Sequence, residues 1–163
     1  MKTVFLLRHA KSSWDDPSLD DHDRPLAGRG LKDAPRMGNA FRKREISPDR
    51  LLCSTALRAR QTADLFREGA RIWDLPVFDG RLYGASVSDV LEIVQGFPDD
   101  TKRVLLVGHN PTFEDVIQVL TRTVHPMPTA ALACIDFEVE RWKQALPGTG
   151  RLRWLLTPKK VDA

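Results

Sequence analysis

Cysteine is scarce in this chain, which has two, Cys53 and Cys134, among 163 residues. Both lie in apolar runs, where a buried free thiol is the usual finding. So few cysteines argue against a disulfide-stapled secreted fold and fit a reducing compartment. No run approaches the ~20 apolar residues that span a bilayer, and residues 4–7 are too few for the core of a signal peptide. We therefore expect a cytoplasmic protein that has no membrane partner.

Internal repeats, low-complexity tracts and linker-like stretches are missing as well. The length then predicts a single domain, residues 1–163, around one sizeable core. Apolar residues make up 42% and charged residues 29% of the chain, both near the globular average, which argues against wholesale disorder. The net charge of +3 favours acidic partners without singling out nucleic acid. No nucleic-acid module surrounds Trp142 or Trp154, so we expect no such partner.

Apolar runs alternate with helical patterns, which predicts a three-layer α/β/α domain. Its central sheet should be mostly parallel, with helices on both faces. The strongest strand candidates are residues 3–7 and 103–107, because continuous apolar runs are typical of strands that are covered on both faces. Further strands are predicted at 50–53, 77–78, 131–139 and 152–157, the last two as an antiparallel pair.

Helical spacing of apolar residues predicts four helices between these strands. The first covers about residues 28–44 and contains Pro35, which should kink or interrupt it. The other three should begin at side chains that can cap a helix or start one. These are Ser54 or Thr55, Ser86 or Ser88, and Asn110 followed by Pro111.

Basic residues follow three of the strand candidates. His9 and His109 come directly after apolar strands, and Arg58 comes shortly after another. We expect them at one edge of the sheet, since the carboxyl ends of parallel strands line the ligand crevice. A neutral imidazole such as His9 is a good nucleophile near pH 7, and arginine binds a phosphate through two hydrogen bonds. Arg8 and Arg58 could hold a phosphoryl group, to which His109 adds a donor; no Gly-rich loop supports ATP use.

Four segments that occur in order carry a more specific pattern: residues 6–14 with Arg8-His9-Ala10, residues 21–30, residues 54–63 and residues 107–111. Together they resemble the histidine phosphatase superfamily, whose signature is Arg-His-Gly. Ala10 stands in the glycine position, as is expected of the SixA-like branch of phosphohistidine phosphatases. Four ordered segments are far more specific than an isolated Arg-His pair.

The resemblance implies a fold like that of phosphoglycerate mutase and a covalent phosphohistidine intermediate on His9. Arg8, Arg58 and His109 would form the phosphate pocket around it. Three further side chains could contact phosphate or only shape the loop: Lys11, Ser12 and Arg24. The implied substrate is a phosphohistidine-bearing protein of a signalling system, such as a histidine phosphotransfer domain, with inorganic phosphate as the product. No metal and no organic cofactor are expected.

A general acid is the part of the pattern that this sequence lacks. Many larger relatives carry a carboxylic acid at one place in the stretch that corresponds to residues 82–89. This sequence has no acid at that place. Asp21 and Asp23 remain candidates for the role. An alkyl phosphate must expel an alkoxide unless an acid donates a proton, whereas a protonated phosphohistidine expels neutral imidazole. The site therefore suits N–P substrates better than alkyl phosphates.

Two alternatives remain open. A phosphatase of a small metabolite, in the same superfamily, would share the first chemical step but not the substrate. A non-catalytic phosphate-binding module would use the pocket without turnover, although the intact His9 argues against it. A mutase is the weaker option, since it would need further groups to retain and reposition an intermediate.

Overall fold

A six-stranded mixed sheet forms the centre of the computed structural model, which describes residues 1–161. The strands are β1 (Lys2–Arg8), β2 (Arg50–Cys53), β3 (Val77–Phe78), β4 (Arg103–Gly108), β5 (Leu132–Phe137) and β6 (Gly150–Leu156). They lie side by side in the order β3-β2-β4-β1-β5-β6. The pairings among β3, β2, β4 and β1 are parallel, and those of β5 with β1 and β6 are antiparallel. The predicted mostly parallel sheet with an antiparallel C-terminal pair is confirmed.

Four helices cover the two faces of the sheet: α1 (Gly28–Arg42), α2 (Leu57–Ala70), α3 (Val87–Gln95) and α4 (Thr112–Thr121). Alternate side chains of β1 point to opposite faces, as strand geometry requires. Phe5 packs in the cluster that contains Phe41 of α1 and Phe66 of α2. Leu6 packs in the other cluster, with side chains of α3 and α4. The predicted α/β/α layers are thus confirmed. Within residues 1–161, no helix has the length and apolar character needed to cross a membrane.

Helices α1 and α2 approach so closely that glycine is required at their crossing. A Cβ atom on Gly38 would overlap the backbone oxygen of Phe66, and one on Gly69 would overlap that of Pro35. Helix α1 continues past Pro35 to Arg42, so of the predicted kink or interruption the interruption is wrong. A proline removes one helical hydrogen bond. The tight packing of α1 against α2 offsets that loss.

Helix α2 begins at a residue without a capping side chain. Its N-cap is Ala56, and neither Ser54 nor Thr55 caps it, so that prediction is wrong. Both hydroxyls instead bond to histidines: Ser54 Oγ lies 2.7 Å from His109 Nε2, and Thr55 Oγ1 lies 2.9 Å from His22 Nε2. These long-range contacts replace the local cap.

The other helix starts agree only in part with the sequence prediction. Ser86 caps α3 and forms a reciprocal capping box with Asp89, which confirms the first of the two candidates. Helix α4 begins one residue later than predicted, with Pro111 as its N-cap. Asn110 therefore lies before the helix, and its side-chain amide donates to the carboxylate of Glu114 at 3.0 Å.

Both cysteines are buried and unpaired, as predicted. Burial raises the pKa of the Cys134 thiol to about 12, and it also raises the pKa of the Cys53 thiol. Neither thiol is ionised near neutral pH, so neither is a reactive nucleophile.

Candidate active site

Four basic side chains come together at the carboxyl edge of the sheet. Arg8 ends β1 and pairs in register with Gly108, which ends the neighbouring strand β4. His9 and His109 follow these two residues, and the His9 backbone N–H donates to Gly108 O at 3.0 Å. Arg58 lies in the first turn of α2, after β2, which pairs with β4 on its other side. The parallel pairing therefore places the four residues at one edge.

The His9 ring is held in one tautomer. Its Nδ1 atom lies 2.7 Å from the backbone oxygen of Ala10, so Nδ1 carries the proton and donates it, and Nε2 keeps a free lone pair. The Ala10 N–H donates to Thr62 Oγ1 at 2.9 Å, which holds the peptide between His9 and Ala10. Burial, with the charges of Arg58 and Arg8, lowers the pKa of His9 to about 4. The ring is therefore neutral at pH 7 and can attack an electrophile.

His109 faces His9, with ring centroids 5.2 Å apart. Its Nε2 atom lies 2.7 Å from Ser54 Oγ. Burial, followed by the neighbouring His9 and Arg58, lowers the pKa of His109 to about 3, so this ring too is neutral at pH 7. The partnership of Ser54 with His109 was missed from sequence, where Ser54 was interpreted as a helix cap. Its place at the carboxyl end of β2 is the signal that could have revealed it.

Two buried polar atoms at this edge have no hydrogen-bond partner. Within residues 1–161 they are Arg8 Nε and His109 Nδ1, and no other buried side-chain nitrogen or oxygen shares this condition. The same arginine is otherwise held in place, because its Nη1 donates to Met127 O at 2.9 Å. Buried polar groups without partners are costly and need an explanation. A bound oxyanion between the two residues would accept from Arg8 Nε, and also from His109 Nδ1 in the tautomer whose Nε2 accepts from the Ser54 hydroxyl.

Asp21 connects Arg58 to the loop that follows His9. Arg58 donates to it twice, to the backbone oxygen at 2.7 Å and to the carboxylate at 3.0 Å. Arg24 and Tyr83 donate to the same carboxylate at 3.1 Å and 2.7 Å. The hydrogen bond from Tyr83, with those from the two arginines, lowers the pKa of Asp21 to about 2. Asp21 is therefore ionised near pH 7, which removes it from the candidates for a general acid; Asp23 lies outside this group, 3.6 Å from His22.

Arg24 and Ser12 shape the loop after His9. Arg24 is buried, and it donates to Ser12 Oγ at 2.7 Å and to the Ser13 backbone oxygen at 3.0 Å. Its charge also contributes to the lowered pKa of His9, so it lies within electrostatic range of that ring. Lys11 is exposed, and a Cβ atom on Gly30 would overlap the Lys11 backbone oxygen, so helix α1 packs directly against this loop.

Three ring-bearing side chains surround the site on the solvent side, and we name Trp14, His22 and Tyr83 the aromatic rim. Tyr83 packs edge-on against His109, with centroids 5.7 Å apart, and against His22 at 4.8 Å. Trp14 lies over the guanidinium of Arg24, 3.1 Å from ring centroid to Cζ. Sequence reasoning missed the rim, because Tyr83 lies 69 residues after Trp14 and 61 after His22, and only the fold brings them together.

Comparison with known proteins agrees with this geometry. The family model described as "Histidine phosphatase superfamily (branch 1)" matches residues 4–127. An uncharacterized protein of Mycobacterium tuberculosis is 35% identical over 165 residues, which cover 94% of this chain and 100% of that protein. The structure of the protein histidine phosphatase SixA complexed with tungstate has a TM-score of 0.85 at 23% identity and covers 98% of this chain and 99% of its own. A protein of Agrobacterium tumefaciens assigned as a phosphohistidine phosphatase SixA has a TM-score of 0.81 at 30% identity, covering 96% and 98%. The chain belongs to the histidine phosphatase superfamily, and it is similar to SixA phosphohistidine phosphatases, as its motifs predicted.

Proposed function

We propose that this protein is a phosphatase that removes the phosphoryl group from phosphohistidine on a protein, through a covalent intermediate on His9. One observation carries the proposal. The neutral His9 ring keeps Nε2 free, because Nδ1 is committed to Ala10 O, and two buried polar atoms without partners, Arg8 Nε and His109 Nδ1, lie at the same edge of the sheet. His109 Nδ1 is a donor in the tautomer whose Nε2 accepts from the Ser54 hydroxyl. A nucleophile beside unfilled donors is the arrangement that phosphoryl transfer needs.

The reaction has two displacement steps. His9 Nε2 attacks phosphorus and forms an N–P bond, while the N–P bond of the substrate breaks and its histidine, protonated on the ring, leaves as neutral imidazole. Arg8, Arg58 and His109 stabilise the charge on the phosphoryl oxygens. Water then attacks phospho-His9, and inorganic phosphate and the free His9 ring are released. Each step depends on groups that belong to the chain.

The surroundings of the site favour an N–P bond as the one that breaks. In residues 82–89, the side chain that faces the site is Tyr83, whose hydroxyl donates to Asp21. That hydrogen bond raises the pKa of Tyr83, so its proton is held more firmly than in a free phenol. Asp21 is already ionised. With neither group able to act as a strong acid, a leaving group that departs as neutral imidazole is favoured over an alkoxide.

The test is phosphate release from a phosphorylated histidine phosphotransfer domain in excess EDTA. We expect release by the wild type and none by His9→Ala, while His125→Ala, which removes a histidine outside the site, behaves like the wild type. Wild type quenched in alkaline SDS should carry label on a base-stable, acid-labile phosphohistidine. Release that survives His9→Ala contradicts the mechanism. Turnover of sugar phosphates alone favours a metabolite phosphatase, and tight binding without labelling favours a binding module.

A further inference from the structure

Trp14 is unusual because it is both exposed and held in a fixed position. The side chain is 70% exposed, yet its ring lies over the guanidinium of Arg24 at 3.1 Å. Arg24 is 6% exposed, and its hydrogen bonds to Ser12, Ser13 and Asp21 fix it in the loop. The indole therefore projects into solvent from a rigid support. An exposed, pre-ordered tryptophan loses little conformational freedom when a partner covers it.

The support of Trp14 is continuous with the groups around the nucleophile. Arg24 bonds to Asp21, and the same carboxylate holds Arg58 and accepts from Tyr83. Tyr83 packs on His109, which faces His9. A ligand that covers Trp14 while presenting a group to His9 would thus contact one connected surface.

A ligand that covers this rim must bring an extended surface of its own. Small-molecule sites are usually concave cavities of about 300–1,000 Å³ that enclose their ligand. Trp14 projects away from the protein and encloses nothing. We infer that the aromatic rim is a docking surface for a folded, phosphohistidine-bearing protein, with Trp14 as the central contact; this rests on the proposed function. Tryptophan and tyrosine, two of the three rim residues, are among the residues enriched at the energetic centres of protein interfaces.

The experiment compares Trp14→Ala with Trp73→Ala, a matched control because Trp73 is 76% exposed and lies in the turn after α2. For each variant, kcat/KM is measured with the phosphorylated histidine phosphotransfer domain and with free phosphohistidine. We expect Trp14→Ala to lower the ratio of kcat/KM for the domain to kcat/KM for free phosphohistidine about tenfold, mainly by raising KM for the domain. A central interface contact contributes at least a tenfold change in affinity. Trp73→Ala should leave the ratio unaltered, and Trp14→Phe should fall between.

An unchanged ratio in Trp14→Ala overturns the inference while the proposed function stands. A wild type that hydrolyses free phosphohistidine but not the domain overturns the docking inference and the protein substrate, and one that hydrolyses neither overturns the proposed function itself. Should Trp14→Ala fail to fold, the docking surface is tested by iodide quenching of tryptophan fluorescence in the Trp73→Phe variant, which keeps Trp14. Saturating phosphotransfer domain should protect the Trp14 fluorescence, and no protection would overturn the inference.

Discussion

Asp21 holds the Arg58 guanidinium through both of its terminal nitrogens, at 2.7 Å to the backbone oxygen and 3.0 Å to the carboxylate. A guanidinium has five N–H donors, so these two bonds fix its orientation and leave three for another acceptor. The charge of Arg58 still reaches His9, whose pKa it helps to lower. Asp21 is thus a positioning residue for an arginine whose charge acts on His9.

Asp21→Asn should lower kcat/KM about tenfold, because the neutral amide weakens the charge-assisted bonds to Arg58 and Arg24. The side chain is 49% exposed, and solvent screening keeps the effect from being larger. The measurement is steady-state kinetics together with inhibition by inorganic phosphate. Asp16→Asn is the control, since the Asp16 carboxylate accepts from Ser18 in the same loop. Tighter phosphate inhibition in Asp21→Asn would show instead that Asp21 competes with phosphate for Arg58.

The two facing histidines should make stability depend on pH. Their pKa values are lowered from 6.5 to about 4 for His9 and about 3 for His109. The unfolded chain therefore binds more protons than the folded protein between about pH 4 and pH 6.5, so the free energy of unfolding falls as the pH falls through this window. The fall should reach up to about 3 kcal/mol for His9 alone by pH 4. Urea unfolding between pH 7 and pH 4.5 measures it.

His9→Asn provides the comparison for this pH dependence, because asparagine does not titrate. We expect the stability of this variant to decrease less steeply with falling pH than that of the wild type. Parallel curves for the two proteins would mean that His9 is not kept neutral by burial.

We expect a single added methyl group at the crossing of α1 and α2 to lower the stability of the protein. Gly38→Ala places a Cβ atom against the Phe66 backbone oxygen, and backbone cannot move aside as a flexible side chain can. We expect a loss of about 1–3 kcal/mol or more in the free energy of unfolding, as for other overpacked sites. Gly28→Ala, at the open start of α1, meets no atom within 4 Å and should be neutral or slightly stabilising. Equal midpoints of urea unfolding for the two variants would contradict this packing.

Gly30→Ala should affect activity as well as stability. The added Cβ would overlap the backbone oxygen of Lys11, two residues after the nucleophile, and would displace the loop that Arg24 and Ser12 hold. We expect kcat/KM to fall more in this variant than in Gly38→Ala at matched temperatures where both remain folded. Full activity in folded Gly30→Ala would show that the loop tolerates the displacement.

Sequence alone predicts a strand or helix correctly where the local pattern of apolar residues matches the burial of that element in the fold. β1 and β4 could be predicted because both of their faces are covered, which leaves continuous apolar runs. The position of His9, Arg58 and His109 at one edge then followed from parallel pairing alone. Their roles in catalysis stay predictions until the variants are measured.

What sequence reasoning missed depends on partners far away in the chain. Ser54 was expected to cap α2, but its hydroxyl bonds to His109, 55 residues later. Asp21 was considered as a proton donor because its contact with Tyr83, 62 residues away, has no local signal. Pro35 was expected to kink or interrupt α1. The helix is not interrupted, because its packing on α2 is a tertiary effect that outweighs local propensity.

The position of β1 in the sheet has a consequence for how the protein is made. β1 is synthesised first, but its two neighbours, β4 and β5, begin at residues 103 and 132. At about 5–20 residues per second, the wholly apolar segment 4–7 leaves the ribosome several seconds before either partner strand exists. During that interval the nascent chain presents an unpaired apolar strand, which is the kind of segment that chaperones bind and that aggregates when they do not. Synthesis that stops before residue 103 would leave a polypeptide that cannot shield the strand leading to His9, and cellular quality control would have to remove it.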